Sequence, residues 1–488
     1  MSSAWALAEL DALGQAALVR TGDASARELA QAALERVAEL DPLLGCIVWR
    51  MEDVDQQLGQ LAARRPDGPL FGVPTLLKDI GADYTGAPQR LGSRFIPPIA
   101  SNHDSELVVR LRRAGLTVIG KSATSEFANS GETTLPGPTN NPWDFDRSTS
   151  GSSTGSAAAV AAGLVPIAHG SDSGGSIRLP AGWCGLFGLK PSRARNPYGP
   201  DGTEGCAGLS VAHMLTRSVR DSAAALDVLA GPDVGAPFLA PPAPDSFLAE
   251  VSHDPGQLRI GWTGEAPQGL PVDDACRAAV ESTARLCEEL GHVVEEATPT
   301  YDVESLLHEF EYLTFDANVA SVEAWEQRLG RKATDADIEP LTWYLIERGR
   351  PRTASEHVNG VSQLRRVARD AAAFFQTYDV FLTPTNPTLP LLHQELTPSG
   401  DHPVQQVWEA DLGGGCFTIL ANILGAPAMS VPLDWSEDGL PIGSHFTASV
   451  GREDLLLRLA GQLEAARPWA HRWPAVTRSR FDARSVSR

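Results

Sequence analysis

The chain has 488 residues and a formal net charge of −21 at pH 7, so one large α/β domain fits its length, and nucleic acid and anionic membrane surfaces are disfavoured as partners. Its six cysteines are scattered without a C-x-x-C pair, so we expect buried free thiols rather than a zinc site or a disulfide framework. The segment Met1–Trp5 lacks a basic and apolar leader, and no apolar run reaches membrane length, so we expect a cytoplasmic protein.

The first third of the chain alternates between helical and strand patterns. A capping box at Ser25–Glu28 begins a helix that we expect to end at Asp41–Pro42. Residues 71–77 are predicted as a buried strand, 104–114 as an amphipathic helix, and 116–119 as a second short strand. This alternation is typical of an α/β fold.

Two turns rich in glycine and serine follow, at Gly151–Ser156 and Ser171–Arg178. Between them lie a small-residue helix, predicted at 156–162, and a strand, predicted at 164–168. The first turn therefore opens a helix, and the second follows a strand. Both positions present backbone N–H groups that have no partner within a helix or strand.

The second half of the chain repeats the alternation after a proline-rich surface excursion at 232–255. Residues 302–350 are predicted to be largely helical and carry several aromatic side chains. The remaining predictions are strands at 258–262, 293–294, 380–382, 426–432 and 442–450, and helices at 276–290 and 452–466.

A serine in either turn needs a base before it can act as a nucleophile. His169 is the nearest histidine in sequence, but it lies on the strand before the second turn, where it is poorly placed to face a serine. A formal G-x-S-x-G match centred on Ser153 lacks the preceding strand that this motif requires, because Asn140–Arg147 is predicted as a turn. Lys78 follows an apolar strand, where burial would lower its pKa toward neutrality.

The two turns supply the partners that a lysine base would need. A helix followed by a returning strand brings Ser152 and Ser176 near one end of the sheet. The backbone amides of Ser173, Gly174, Gly175 and Ser176 are candidates for an oxyanion hole. A phosphate-binding nest and a plain tight turn are the alternative interpretations of such glycine–serine segments.

The run from Gly151 to Gly163, continued by Gly170–Arg178, resembles the amidase signature family. The amino-acid sequence is most similar to bacterial amidases of the 6-aminohexanoate cyclic-dimer (nylon-oligomer) hydrolase type. Further short sequence motifs that resemble those of the family occur at Gly72–Pro74, Lys78-Asp79, Gly188–Pro191, Arg217–Asp221, Pro384-Thr385, Gly425–Ala428, Leu440–Gly443 and Gly451–Leu457.

The resemblance implies a Ser–cisSer–Lys triad, with Ser176 as nucleophile, Ser152 as bridging serine in a cis peptide after Gly151, and Lys78 as general base. Supporting roles fall to Ser153, Asp172 and Arg178. The chain departs from the family by carrying Ser150 and Thr154 where glycine is usual.

The resemblance further implies an α/β amidase signature fold, with a large mixed central β-sheet covered by helices on both faces. We expect a single domain over 1–488, with an N-terminal helical segment (1–65), a catalytic core (66–230), a variable substrate-pocket region (300–420) and closing strands and helix (421–475). The aromatic and aliphatic residues from Phe310 to Trp343 and the stretch Gly413–Phe417 are expected to line the pocket; the alternative is that these aromatic residues belong to the ordinary core.

The expected function is hydrolysis of the C–N bond of a small, fairly apolar amide through an acyl-enzyme, with no cofactor and no metal. Cleavage of carbamates by the same triad is the alternative. A tRNA-dependent amidotransferase subunit and a non-catalytic binding protein are less favoured. The expected partner is the small amide or carbamate substrate, with no nucleic acid and no membrane, and the protein is expected to be a monomer or homodimer.

Overall fold

The computed structural model describes residues 4–485, and its centre is an eleven-stranded sheet. A separate two-stranded hairpin is formed by β4 and β5. The strands are β1 (Ile47–Arg50), β2 (Pro74–Lys78), β3 (Thr117–Ser122), β4 (Asn140–Asn141), β5 (Asp144–Ser148), β6 (Ile167–Asp172), β7 (Phe187–Lys190), β8 (Val211–Thr216), β9 (Arg259–Trp262), β10 (Val293–Glu296), β11 (Val380–Pro384), β12 (Ala428–Trp435) and β13 (Pro441–Ala448).

The central sheet is mixed, as the sequence predicts. Its strand order is β1-β3-β2-β6-β8-β7-β12-β13-β11-β9-β10. The pairs β2–β3, β2–β6, β9–β11 and β9–β10 are parallel, and the remaining neighbours are antiparallel. Parallel pairing of β2 with β6 brings the end of the Lys78 strand beside the strand that leads into the second glycine turn.

Helices flank this sheet along the whole chain. They are α1 (Ala4–Ala8), α2 (Ala12–Thr21), α3 (Ala26–Leu44), α4 (Val54–Ala62), α5 (Glu106–Arg113), α6 (Thr154–Ala161), α7 (Arg178–Cys184), α8 (Val219–Leu229), α9 (Phe247–Glu250), α10 (Asp274–Glu289), α11 (Val303–Leu329), α12 (Pro340–Gly349), α13 (Ala354–Ala372), α14 (Val404–Gly414), α15 (Ile419–Leu424), α16 (Glu453–Ala466) and α17 (Ala475–Ser485).

Alternate residues of the strands pack into different cores, which places helices on both faces of the sheet. Leu76 and Ile119 pack with the small residues of α6 and the apolar face of α3. Leu77 and Val118 pack instead with α5 and α8. Because successive side chains of a strand point to opposite faces, these pairs show that both faces of the sheet are covered.

Helix α6 is the most tightly packed element next to the site. All of its residues are buried, and they are glycine, alanine, serine, threonine and valine. A Cβ at Gly155 would lie 2.3 Å from the carbonyl oxygen of Cys46, so the backbones approach too closely for any side chain there. The small-residue pattern therefore serves close helix–sheet packing.

Several predicted boundaries were wrong by a few residues; β2, for example, begins at Pro74 rather than at residue 71. Helix α3 continues through Pro42 to Leu44, because the proline lies in the last turn and Gly45 ends the helix in the left-handed conformation. Strand β6 begins at Ile167, later than predicted, and continues to Asp172, so it carries its own polar end into the site.

The prediction of a turn at Asn140–Arg147 was also wrong. This segment forms the β4–β5 hairpin around Pro142-Trp143 rather than a simple turn. The hairpin still does not supply the strand-to-helix geometry of a G-x-S-x-G nucleophile, since β5 ends at Ser148 and α6 begins only at Thr154.

The sequence predicts buried free thiols, and five of the six cysteines are buried. All six cysteines are free thiols; Cys206 is half-buried and the other five are buried. Among the described residues, no helix is both long enough and apolar enough to cross a lipid bilayer. Residues 1–3, which contribute to the expectation about the N-terminus, lie outside the described part of the chain.

Candidate active site

Lys78 is the last residue of β2, and its side chain is completely buried. Its Nζ lies 2.8 Å from Ser152 Oγ and 3.1 Å from Ser171 Oγ. Within residues 4–485 no carboxylate forms an ion pair with this amine, so its nearest partners are two neutral hydroxyl groups.

Burial lowers the pKa of Lys78 from 10.5 to about 7, and the more distant charge of Asp172 offsets only part of this effect. A buried ammonium without a paired carboxylate is costly, which is why the neutral form gains. A substantial share of Lys78 is therefore the free amine at neutral pH, the form that can accept a proton.

Ser152 is held in the first glycine turn by backbone packing. The Gly151–Ser152 peptide bond is cis, as the resemblance implies. A Cβ at Gly151 would lie 2.1 Å from the carbonyl oxygen of Ser130, so only glycine fits there. Ser150 adopts a left-handed φ of 61°, a conformation that glycine adopts more readily, and its N–H donates to Ser148 Oγ at 3.1 Å.

Ser153 and His169 occupy bracing positions next to the lysine. Ser153 Oγ donates to the carbonyl oxygen of Ser171 at 3.3 Å and accepts from the Ser171 N–H at 3.4 Å, so it joins the two turns. His169 Nδ1 accepts a hydrogen bond from the backbone N–H of Lys78 at 3.2 Å. Burial and the charge of Lys78 lower the pKa of His169 to about 3, so the ring stays neutral.

The second turn is anchored by a buried ion pair between Asp172 and Arg178, both fully inaccessible to solvent. Arg178 Nε and Nη2 each donate to the carboxylate at 2.9 Å. Burial alone would raise the pKa of Asp172, but the Arg178 guanidinium holds it well below its usual range. The pair closes the ends of the loop that carries Ser173–Ser176.

Two side chains from distant elements complete this anchor. Asn422 Nδ2 donates to Asp172 Oδ1 at 2.9 Å, and Thr418 Oγ1 donates to the carbonyl oxygen of Gly174 at 2.6 Å. Among the described residues, the amides of Ser173, Gly174, Gly175 and Ser176 have no hydrogen-bond acceptor. Four backbone donors thus stay free around Ser176, which is only partly buried.

Ser176 lines a cavity of about 830 Å³ together with Gly151, Ser171, Ser173 and Gly174. This volume suits a ligand of drug-like size. Ser152 lies just behind the cavity wall and is 1 % exposed. No hydrogen bond joins Ser152 to Ser176 in the part of the chain that is described, so Lys78–Ser152 is the directly bonded pair.

The prediction of the pocket wall was partly right. Phe310, Asn318 and Gly413–Gly415 line the cavity. Trp325, Trp343 and Phe417 do not, because their rings pack in separate apolar clusters. Leu396, Trp408 and Asp411 also line the cavity and lie within the predicted pocket region of 300–420. Phe127, Asn129, Gly131 and Leu179 line it from segments outside that region.

Four residues at the site were missed from the sequence: Ser171, Thr418, Asn422 and Asp411. Ser171 had a usable signal, since it lies in the same serine-rich turn as Asp172. The other three lie far from the turns in sequence and reach them only through the tertiary fold.

One grouping of metal-ligand types occurs away from the cavity. Ligand atoms of Asp83, His103 and Asp201 lie within 4.8 Å of one another. His103 Nε2 and Asp201 Oδ2 already contact each other at 2.7 Å, and none of the three residues lines the cavity. This grouping therefore contributes nothing to the arrangement around Ser176.

The chain has a mixed α/β fold with a polar site at one end of its cavity. The family model described as "Amidase" matches residues 28–457, and the chain belongs to the amidase signature family. It is an amidase-family hydrolase that acts on carbon–nitrogen bonds other than peptide bonds.

The chain is also similar, over nearly its whole length, to individual proteins. The chain is 36 % identical over 480 residues to a 6-aminohexanoate-cyclic-dimer hydrolase of Paenarthrobacter ureafaciens, covering 96 % of both proteins. A solved 6-aminohexanoate cyclic dimer hydrolase with bound substrate superposes with a TM-score of 0.90 at 34 % identity, covering 96 % of this chain and 99 % of that one. A bacterial aryl acylamidase superposes with a TM-score of 0.87 at 26 % identity, covering 96 % and 98 %.

Proposed function

We propose that this protein hydrolyses small, fairly apolar amides through an acyl-enzyme formed on Ser176, with Ser152 and Lys78 relaying the proton. The observation that carries the proposal is the 2.8 Å contact between Lys78 Nζ and Ser152 Oγ, made by a buried amine that has no carboxylate partner among the described residues. A lysine in this setting is a base rather than a structural cation.

In the acylation step, neutral Lys78 accepts the proton of Ser152 while Ser152 accepts the proton of Ser176. Ser176 Oγ forms a bond to the substrate carbonyl carbon, and the carbonyl π-electrons move to oxygen. A bound substrate brings Ser176 toward Ser152, since catalytic hydrogen bonds commonly tighten only in the substrate complex. The relay then returns a proton to the amide nitrogen, the C–N bond breaks, and the amine leaves.

Deacylation repeats the sequence with water. Lys78, acting through Ser152, takes a proton from water as its oxygen attacks the Ser176 ester. The C–O bond to Ser176 breaks, Ser176 Oγ recovers a proton, and the carboxylic acid leaves. Each tetrahedral intermediate carries its negative charge on the former carbonyl oxygen.

Backbone amides from Ser173 to Ser176 stabilise that oxyanion. Within residues 4–485 they have no hydrogen-bond acceptor, and the Thr418 and Asp172–Arg178 contacts hold the loop in place. Donors fixed before the reaction do not need to reorganise as charge develops, and one such donor contributes roughly 10²–10³ in rate.

We also propose that the chain forms a single domain and acts as a monomer or homodimer in the cytoplasm. It needs no cofactor, metal or nucleic acid for this activity. The substrate class is supported by the apolar cavity wall and by the relatives that hydrolyse a cyclic 6-aminohexanoate amide. A carbamate presents the same carbonyl oxygen to the site as an amide does. The substrate panel described next therefore includes both and distinguishes amide from carbamate cleavage.

The test combines a substrate panel with active-site labelling. Purified protein alone is assayed on an anilide, an aliphatic amide, a dicarbamate and the 6-aminohexanoate cyclic dimer. A fluorophosphonate probe is added in parallel, and the labelled peptide is identified by mass spectrometry. We expect amide hydrolysis and an adduct on Ser176; hydrolysis of the dicarbamate alone would identify a urethanase.

Folded protein that gives no Ser176 adduct and hydrolyses nothing would overturn the proposal in favour of a binding protein. Activity that appears only when a partner chain is added would point to an amidotransferase subunit instead.

A further inference from the structure

The charged side chains around the cavity are unevenly distributed. Three carboxylates line it, those of Glu395, Glu409 and Asp411. The imidazole of His402 also lines the cavity, and no lysine or arginine of the described chain does. Carboxyl groups therefore outnumber basic groups in the wall.

Of the three carboxylates in the wall, Asp411 contacts Gly131, which packs against the first glycine turn. Asp411 lies near the end of α14, and its Oδ1 accepts a hydrogen bond from the backbone N–H of Gly131 at 3.0 Å. A Cβ at Gly131 would lie 3.5 Å from Asp411 Oδ1 and 3.6 Å from the backbone nitrogen of Gly151. The carboxylate thus lies beside the turn that carries Ser152.

The second oxygen of Asp411 is free to bind a ligand. No group among residues 4–485 donates a hydrogen bond to Oδ2 or forms an ion pair with the carboxylate. Burial raises the pKa of Asp411 to about 7, and the nearby charge of Glu132 adds to the rise. Glu132 itself is paired with His393 and does not line the cavity. A cation beside Asp411 would favour its ionised form.

We infer, building on the proposed function, that Asp411 is a specificity-determining residue that binds a protonated amine of the substrate. The preferred substrates are then amides that carry an ammonium group away from the scissile bond. Amides of the same length that carry a carboxylate are rejected, because that carboxylate would lose its hydration beside three like charges. The net charge of −21 draws cations toward the protein as a whole.

Matched para-nitroanilides with three kinds of acyl chain test this inference at pH 8: an ω-ammonium chain, a neutral alkyl chain and an ω-carboxylate chain, each made with four and with six carbons. The variants are Asp411→Asn and Asp411→Glu. Asparagine keeps the oxygen that accepts from Gly131 but removes the charge, and glutamate keeps the charge. Asp370→Asn, an exposed Asp-to-Asn change on α13 away from the cavity, is the matched control.

For the wild type we expect kcat/KM to be at least about tenfold higher for the ammonium substrate than for the carboxylate substrate. Asp411→Asn should lower the ratio of ammonium to neutral kcat/KM at least about tenfold, mainly through KM. Asp411→Glu should retain most of the preference, and Asp370→Asn should leave all ratios unchanged. An unchanged ratio in Asp411→Asn, or an equal loss on all three substrates, overturns the inference.

Binding to the Ser176→Ala protein separates this inference from the proposed function. Calorimetry compares hexylammonium with hexanoate, with and without Asp411→Asn, and needs no turnover. If the wild type hydrolyses nothing, the proposed chemistry is wrong, and the binding data alone decide about Asp411. Tighter binding of hexylammonium that Asp411→Asn abolishes supports the inference, whereas equal binding of both ligands refutes it.

Discussion

The two sides of the cavity are built by different means. On the side of the glycine turns, polar groups are buried and almost fully paired: Lys78 with two serines, and Asp172 with Arg178. Another part of the wall comes from helices α11 and α14, whose side chains pack mainly through apolar contacts. Under the proposed function, the first side carries out the chemistry and the second selects the substrate.

This contrast shows why the reaction and the substrate class are predictable to different degrees. The side of the glycine turns should tolerate little change, since most of its buried polar side chains have a specific partner and a lost partner leaves a buried group unsatisfied. The helical side tolerates exchange of apolar side chains of similar size. Variants on the two sides should therefore differ in which property they change.

The largest effect is expected for Ser176→Ala. Loss of the nucleophile should lower kcat at least about 10⁴-fold. The hydroxyl is partly exposed and makes no hydrogen bond within the described chain, so the melting temperature should stay within a few degrees of the wild type. Steady-state assays and calorimetry measure both quantities. Ser355→Ala, an exposed serine on α13, is the control, and a Ser176→Ala rate close to wild type would exclude the proposed nucleophile.

The next largest effect is expected for Lys78→Met, which removes the base and keeps an apolar stem. We expect kcat to fall about 10²–10⁴-fold. For a neutral substrate, kcat/KM of the wild type should rise with pH as Lys78 loses its proton near pH 7, and should then level off. Lys332→Met changes a lysine outside the cavity and should preserve this profile.

The same lysine links pH to stability. Its pKa is about 7 in the folded protein against 10.5 for the ordinary side chain. Between these values the unfolded chain binds more protons, so this group makes the free energy of unfolding rise with pH in that window. Lys78→Met should therefore be no less stable than the wild type at pH 7, as measured by denaturant titration. A marked loss of stability would mean that the lysine is a structural cation.

Arg178→Met should have a moderate effect on both stability and rate. It leaves Asp172 buried without its ion-pair partner, which typically costs about 3–5 kcal/mol. The loop carrying Ser176 loses its closure at the same time, so kcat should also fall. The double variant with Asp172→Asn removes the unpaired charge and should recover part of the free energy of unfolding. Failure to recover any would argue that Arg178 acts through its contacts to Thr418 and His445 instead.

The smallest effect is expected for Phe310→Leu on the helical side. The Phe310 ring packs against Gly174, since a Cβ on that glycine would lie 2.7 Å from Phe310 Cζ. The smaller side chain should shift the kcat/KM ratio between long and short acyl chains by about tenfold. The rate of fluorophosphonate labelling at Ser176 should change little by comparison. Phe375→Leu, outside the cavity wall, should leave the ratio unchanged. If Phe310→Leu lowers kcat/KM equally for all chain lengths, Phe310 acts on the reaction rather than on the choice of substrate.

Local patterns in the sequence were enough to predict the parts of the site that are contiguous along the chain. The two glycine turns, the small-residue helix between them and the strand that ends at Lys78 follow from spacing and residue type. These features hold because helix α6 and strand β6 connect the turns directly. Pro42 and Asn140–Arg147 show the limit of such patterns, since a proline near a helix end and a short hairpin depend on what packs around them.

The sequence by itself determined an acidic α/β chain of the amidase type and the residues able to carry its reaction. Only the tertiary structure decided that Thr418 and Asn422 brace the second turn, that most aromatic residues of 310–343 are core rather than wall, and that Asp411 faces the cavity. The physical reason is the difference in sequence separation between the interacting residues. Periodicity and turn chemistry act over a few neighbouring residues, whereas these contacts join segments more than 200 residues apart.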